Sequence, residues 1–232
     1  MPVGDDAMME YSRLPPASDT AGHAHAHDTA RRPLASRDAG WARRSAAALA
    51  RSPITPNQIS LASIVFAAIG AALLASWPGI TSLLLAAACV QLRLLCNLFD
   101  GMVAVEGGKS SPLGVLYNEF PDRIADSLLL VALGHAALQP WLGWLGALLA
   151  ALTAYVRVDG GALGLTQDFR GPMAKQQRMA VLTAGCILGA IEAAASGTRY
   201  ALLLAAAVVA AGGALTCVTR TRAIAAQLQA RG

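Results

Sequence analysis

Charged residues are scarce in this chain. Asp, Glu, Lys and Arg make up 14% of its 232 residues while 55% are hydrophobic, whereas soluble domains carry about 25% charge. That shortage excludes an ordinary soluble domain and leaves no room for a second, water-borne one. Aromatic residues are also few, at 5%, and the abundance of alanine and leucine favours closely packed transmembrane helices over a barrel of alternating strands. The four cysteines, Cys89, Cys96, Cys186 and Cys217, show no C-x-x-C spacing. They read as reduced packing residues rather than a redox or metal pair. An apolar h-region is missing near the start, where acidic residues lead, so no signal peptide is expected.

What is present is a series of long apolar runs, and they imply an all-α, polytopic membrane protein with six transmembrane helices and an N-terminal amphipathic interfacial helix. Residues 1–40 read as a disordered tail, and His23, His25 and His27 within it read as solvated low complexity. Residues 41–54, beginning WARRSAAALAR, read as a basic amphipathic helix lying on the membrane surface. The six-helix catalytic domain is placed at 55–220, followed by a cytoplasmic tail at 221–232. Its spans are expected at about Asn57–Trp77, Ile80–Asp100, Pro112 or Leu113 to Leu138, Pro140–Arg157, Met179–Ala195 and Tyr200–Val218. Thr55 can cap the first of them, and Pro56 in its first turn costs no helical hydrogen bond.

Basic residues fix the expected orientation. The tail, the loop with Lys109, the loop with Arg170, Lys175 and Arg178, and the end with Arg220, Arg222 and Arg231 fall on one side, with Arg199 alone opposite. The positive-inside rule makes that basic side cytoplasmic, which in a bacterium places the protein in the inner (cell) membrane.

Against this apolar background the stretch from Arg93 to Asp126 stands out. It sets Asp100, Glu119, Asp122 and Asp126 at or inside the ends of hydrophobic segments, where an ionised carboxylate is costly unless paired, hydrated or bound to a cation. Asn118, Asp122 and Asp126 recur every four residues and share a helical face. Asn97 and Asp100 share another. Between Asp126 and Pro140 a helix covers only about 20 Å, against a hydrocarbon core of about 30 Å, so Asp126 is expected about a third of the way in. If the second and third helices are antiparallel neighbours, as their short connection suggests, these groups line one cavity open to the cytoplasm. Oxygen ligands on rigid helices suit a hard cation such as Mg²⁺.

The residues Asn97, Asp100, Gly101, Ala104, Val105, Gly114, Asn118 and Asp122 form N-x-x-D-G-x-x-A-V, eight residues, then G-x-x-x-N-x-x-x-D. This resembles the CDP-alcohol phosphatidyltransferase family, whose pattern is D-x-x-D-G-x-x-A-R followed by G-x-x-x-D-x-x-x-D. The spacing matches throughout, and the likeness covers roughly residues 50–220. Asn97 and Asn118 stand where the family has metal-binding aspartates, and Val105 stands for an arginine, as in a divergent bacterial branch with N-x-x-D-G and N-E-x-x-D-x-x-x-D.

The resemblance implies transfer of a phosphatidyl group from a CDP-activated lipid, such as CDP-diacylglycerol, to an acceptor alcohol, with Mg²⁺ or Mn²⁺ as cofactor and CMP as leaving group. It implies metal ligands among Asn97, Asp100, Asn118, Glu119 and Asp122. The general base is Asp122, or Asp126 with Asp122 as ligand, and the sequence leaves both open. Gly101, Ala104 and Gly114 are candidates for close approach of the substrate, because small residues let backbone come near a ligand. Arg93, Arg157, Arg170, Lys175 and Arg178 are candidates for substrate phosphates or charge partners, with positive-inside anchoring as the other reading of the loop residues. The partners implied are the CDP-lipid, the acceptor alcohol, membrane lipids and a second copy in a homodimer, with no nucleic acid. A second class stays open: an ion- or lipid-binding membrane protein, pseudoenzyme or transporter, using the same intramembrane carboxylates.

Overall fold

The structure, a computed structural model, describes residues 39–76 and 78–231. The expected tail and its histidines lie outside them. Seven helices follow in order: α1 (Gly40–Arg51), α2 (Pro56–Ser76), α3 (Ile80–Val105), α4 (Gly114–Ala136), α5 (Pro140–Ala162), α6 (Lys175–Ala195) and α7 (Tyr200–Gln229). Five of them, α2, α3, α5, α6 and α7, are long and apolar enough to cross a membrane. The remaining long helix, α4, has 23 residues and reaches about 34 Å at ~1.5 Å per residue. It carries Glu119, Asp122, Arg123 and Asp126 along the way.

Local chemistry explains the helix ends. Thr55 and Gln58 form a reciprocal capping pair: the Gln58 N–H donates to Thr55 Oγ1 at 3.3 Å and the Thr55 N–H to Gln58 Oε1 at 2.9 Å, which satisfies first-turn donors. Pro140 opens α5, where the missing N–H costs nothing. Pro121 lies inside α4 and removes the bond that would reach the Tyr117 carbonyl, one residue before Asp122.

Several helices run past their expected ends. α3 continues through Asp100 to Val105, α5 through Arg157 to Ala162, and α6 begins at Lys175 rather than Met179. Asp100, Arg157, Lys175 and Arg178 are therefore all helical and held in fixed register. The last helix likewise continues to Gln229.

Neighbour relations differ from those expected of a short connection. α3 and α4 each pack along α2 and meet one another at few points. Long polar side chains of α3, Arg93 and Asn97, reach across to the carboxylates of α4. The apolar core lies toward the other end of the bundle, among Leu74, Leu83, Val90, Leu129, Leu133, Leu182 and Leu202. Small residues bring the helices close there: a Cβ on Gly134 would stand 2.5 Å from the Gly143 backbone, so α4 and α5 cross almost backbone to backbone.

α1 sits against α3. Ala42 and Ala46 are buried with Leu98 and Met102, Trp41 meets Phe99 edge-on at 6.2 Å, and Arg43, Arg44 and Arg51 are exposed. Lys109 donates to the Ser52 and Ile54 carbonyls at 2.6 and 3.2 Å, which ties the loop after α3 to the segment after α1.

Candidate active site

The polar groups stack in tiers along α4, one helical turn apart. In the deepest tier Asp126, 1% exposed, is held from both sides. Arg93 Nη2 donates to its Oδ1 at 2.6 Å and Arg178 Nη2 to its Oδ2 at 2.8 Å. Arg178 is fixed in turn by the Met173 carbonyl at 3.0 Å and Thr153 Oγ1 at 3.3 Å. Two buried guanidinium groups thus answer the cost of a carboxylate at this depth.

One turn nearer the loops, Asp122 collects three donors from two facing helices. Its Oδ1 accepts from Asn97 Nδ2 at 2.8 Å and Arg93 Nη2 at 3.3 Å, and its Oδ2 accepts from Lys175 Nζ. In the outermost tier Glu119 accepts from Arg157 Nη2 at 2.5 Å, and Arg157 also donates to Gln167 Oε1 at 2.8 Å and lies 5.4 Å over the Phe169 ring. Arg123 stands 3.9 Å from both Glu119 and Asp122.

Asp100 is separate from this ladder. Its Oδ2 accepts from Ser60 Oγ of α2 at 2.6 Å, while its buried Oδ1 has no partner among the described residues. Ser60 escaped the sequence reading. The available signal was a serine one turn into an apolar helix, on the side that α3 covers.

The structure brings some of the sequence-derived candidates together and leaves others apart. Asn97, Asp122, Asp126, Arg93 and Lys175 are brought together, and Glu119 joins Arg157 beside them. Gly101, Ala104 and Gly114 are half-buried, and Asn118 is exposed at the start of α4. Arg170 is elsewhere: its side chain pairs with Asp168 at 2.6 Å in a cleft of about 320 Å³ shared with Thr166 and Gln227. Arg178, a candidate for a substrate phosphate or for anchoring in the loop, is a buried partner of Asp126, because α6 starts early enough to carry it inward. Arg220 joins the same region, donating to the Arg170 and Thr153 carbonyls at 2.9 and 2.7 Å.

The donor set can be tested against a divalent cation. Among the described residues no three His, Cys, Asp or Glu side chains converge on a metal-sized site. Asp126 and Glu119 are engaged by arginines, and Asp122 by Arg93, Asn97 and Lys175. Asp100 Oδ1 is a buried carboxylate oxygen with no hydrogen-bond partner among the described residues; Asp168 Oδ2, the other, is ion-paired with Arg170. Asn97 commits its amide nitrogen to Asp122, which leaves its carbonyl oxygen for another ligand. These groups fit one hard cation with water and substrate oxygens completing the shell.

A bundle of apolar helices with an internal, loop-facing ladder of carboxylates and cations marks a functional site within a membrane protein. No family model matches the sequence. Two curated relatives do. The chain is 36% identical over 166 residues to the archaetidylinositol phosphate synthase of Aeropyrum pernix, covering 69% of this chain and 79% of that one. It is 37% identical over 153 residues to the bifunctional IPC transferase and DIPP synthase of Rubrobacter xylanophilus, covering 63% of this chain and 34% of the relative. The chain thus spans about a third of that longer protein. Among solved structures, phosphatidylinositol phosphate synthase of Mycobacterium tuberculosis with CDP-DAG bound superposes with a TM-score of 0.66 at 20% identity, covering 80% of this chain and 94% of that one. The same enzyme with manganese and citrate gives 0.65 at 19% identity, covering 79% and 88%. The chain belongs to the CDP-alcohol phosphatidyltransferase family, membrane transferases that pass a substituted phosphate from a CDP-activated alcohol to an acceptor alcohol.

Proposed function

We propose that this protein transfers the phosphatidyl group of CDP-diacylglycerol, or a closely similar CDP-lipid, to a phosphorylated inositol, releasing CMP. The acceptor class draws its support from the archaetidylinositol phosphate synthase and phosphatidylinositol phosphate synthase that the chain resembles, and from the excess of cations over carboxylates along α4. The observation that carries the reading is Asp122, a carboxylate within the bundle held on one oxygen by Asn97 and Arg93 and on the other by a lysine.

In this reading Asp122 is the general base and Asp126 is not. Both oxygens of Asp126 are paired with buried arginines, whereas Asp122 Oδ2 is held by Lys175, whose side chain is 24% exposed. The acceptor hydroxyl oxygen bonds to the phosphorus that carries the lipid alcohol, the bond from that phosphorus to the oxygen of CMP breaks, and the hydroxyl proton passes to Asp122 Oδ2. Arg93 and Asn97 hold the carboxylate in register while it takes the proton. Mg²⁺ or Mn²⁺ held by Asp100 Oδ1 with the amide oxygens of Asn97 and Asn118 would neutralise the pyrophosphate and stabilise charge on the departing CMP. Arg157, backed by Gln167 and Phe169, exchanges Glu119 for the acceptor's phosphate, a pairing that suits its planar fork.

The same reading takes α4 as a sixth span, puts the basic loops and the ladder at the cytoplasmic face of the cell membrane, and carries a homodimer over from the family resemblance. Purified protein in lipid nanodiscs, given CDP-diacylglycerol and Mn²⁺ with inositol phosphate, free inositol or glycerol 3-phosphate in turn, is expected to make lipid product with inositol phosphate and little with free inositol. Arg157→Gln is expected to raise KM for the phosphorylated acceptor by about tenfold, the loss of one charged hydrogen bond, and to leave KM for the CDP-lipid unchanged. Equal use of phosphorylated and free inositol would refute the acceptor assignment.

A further inference from the structure

Asp122 has about four acceptor directions, and three of them are taken by Asn97, Arg93 and Lys175. The third donor differs in kind from the first two. Asn97 and Arg93 both sit on α3 and share one carboxylate oxygen, whereas Lys175 comes alone from the start of α6 to the other oxygen, on the side facing Arg123 and the outermost tier. Among the described residues Asp122 is the carboxylate that Lys175 meets directly, although its charge also reaches Asp100 and Asp126. The remaining carboxylates have their own cations: Asp126 has Arg93 and Arg178, and Glu119 has Arg157. Asp100, within this region, has no cation in direct contact and is held by the Ser60 hydroxyl and the Gly101 backbone N–H.

We infer that Lys175 is the resident cation of Asp122, placed where a divalent ion would otherwise bind, so that the protein holds one divalent ion, at Asp100, and not a pair. An ammonium and a divalent ion on one carboxylate oxygen would face each other within a few ångströms, where the bundle interior screens their repulsion poorly. Asn97 and Asn118 fit this arrangement. As neutral ligands they can share the ion at Asp100 but add no negative charge that would draw in a second, and the lysine supplies a positive charge of its own. Lys175 then acts as a positioning residue: it balances Asp122 electrostatically and keeps Oδ2 turned toward the loop side. This inference rests on the catalytic reading of Asp122 given above, but its test does not require turnover.

The number of Mn²⁺ ions bound per chain, counted by electron paramagnetic resonance titration in nanodiscs without substrate, decides it. The wild-type protein is expected to bind one Mn²⁺ and to show no Mn–Mn coupling, and Asp100→Asn to lose that ion. Lys175→Met is expected to admit a second ion with an apparent Kd at least tenfold below any second binding to the wild type, and Lys175→Arg to behave as wild type. Elution of each variant as a folded species guards against a collapsed Lys175→Met protein, and Lys175→Gln repeats the neutralisation with a polar side chain. Two strongly coupled Mn²⁺ ions in the wild type, or no change in stoichiometry and affinity in both neutral variants, overturns the inference while leaving the transferase reading intact. Absence of Mn²⁺ from the wild type and every variant overturns it as well, and CMP release measured on the same samples then shows whether the transferase reading falls with it.

Discussion

Replacing Asp126 by alanine is expected to destabilise the protein by about 3–5 kcal/mol, the cost of removing one partner from a buried ion pair. Asp126 is 1% exposed, Arg93 is fully buried, and Arg178 is 2% exposed. Without the carboxylate, Arg93 keeps only its longer bond to Asp122 at 3.3 Å. Arg178 keeps the Met173 carbonyl and Thr153, neutral acceptors for a full charge. Nε and Nη1 of Arg93 and Nε of Arg178 already lack partners among the described residues, so little slack remains in either guanidinium. The loss is read from denaturant titration in mixed micelles. Asp126→Asn keeps shape and one acceptor and is expected to fall between wild type and alanine. Its CMP release per folded molecule should stay within about tenfold of wild type, because the general-base contribution, about 10²–10⁴ in rate, is assigned elsewhere. An Asp126→Ala protein as stable as wild type would show that the clamp does not hold the bundle together.

Asp122→Asn is expected to do the opposite. It should lower the rate of CMP release by about 10²–10⁴, the usual contribution of a positioned general base, with KM for the CDP-lipid little changed. Its stability cost should be the smaller of the two. The asparagine oxygen still accepts from Asn97 and Arg93, Lys175 can turn toward water through its partly exposed end, and Arg93 retains its 2.6 Å bond to Asp126. A rate loss confined to KM would instead mark Asp122 as a substrate-binding group. The paired variants separate two carboxylates that lie one turn apart and carry the same chemistry in the sequence.

That separation could not be read from the sequence, and the reason is physical. Periodicity was enough to put Asp122 and Asp126 on one face of α4 and Asn97 with Asp100 on α3, since helical repeat alone fixes which side chains stack. The capping role of Thr55 was legible for the same reason, because Gln58 is close along the chain. Which cation meets which carboxylate depends on helix register and neighbours that local pattern does not encode. Arg178 reaches Asp126 because α6 begins at Lys175, four residues before the apolar run that marked the expected start. Hydropathy falls in the polar end of a span while backbone hydrogen bonding continues, so apolar runs underestimate the helices at their charged ends. The packing of α3 and α4 on α2, rather than along each other, was hidden by a loop short enough to suggest direct contact. Ser60 became visible only once α2 was known to lie against Asp100.

The most direct test is the rate of CMP release from CDP-diacylglycerol by the purified wild-type protein in nanodiscs, with and without inositol phosphate, in Mn²⁺ or Mg²⁺. The predicted result is release that depends on the acceptor and is matched mole for mole by new phosphorylated lipid. Folded protein that releases no CMP with any phosphorylated acceptor, or that releases it equally well as Asp122→Asn, would contradict the assignment of this ladder as a transferase site.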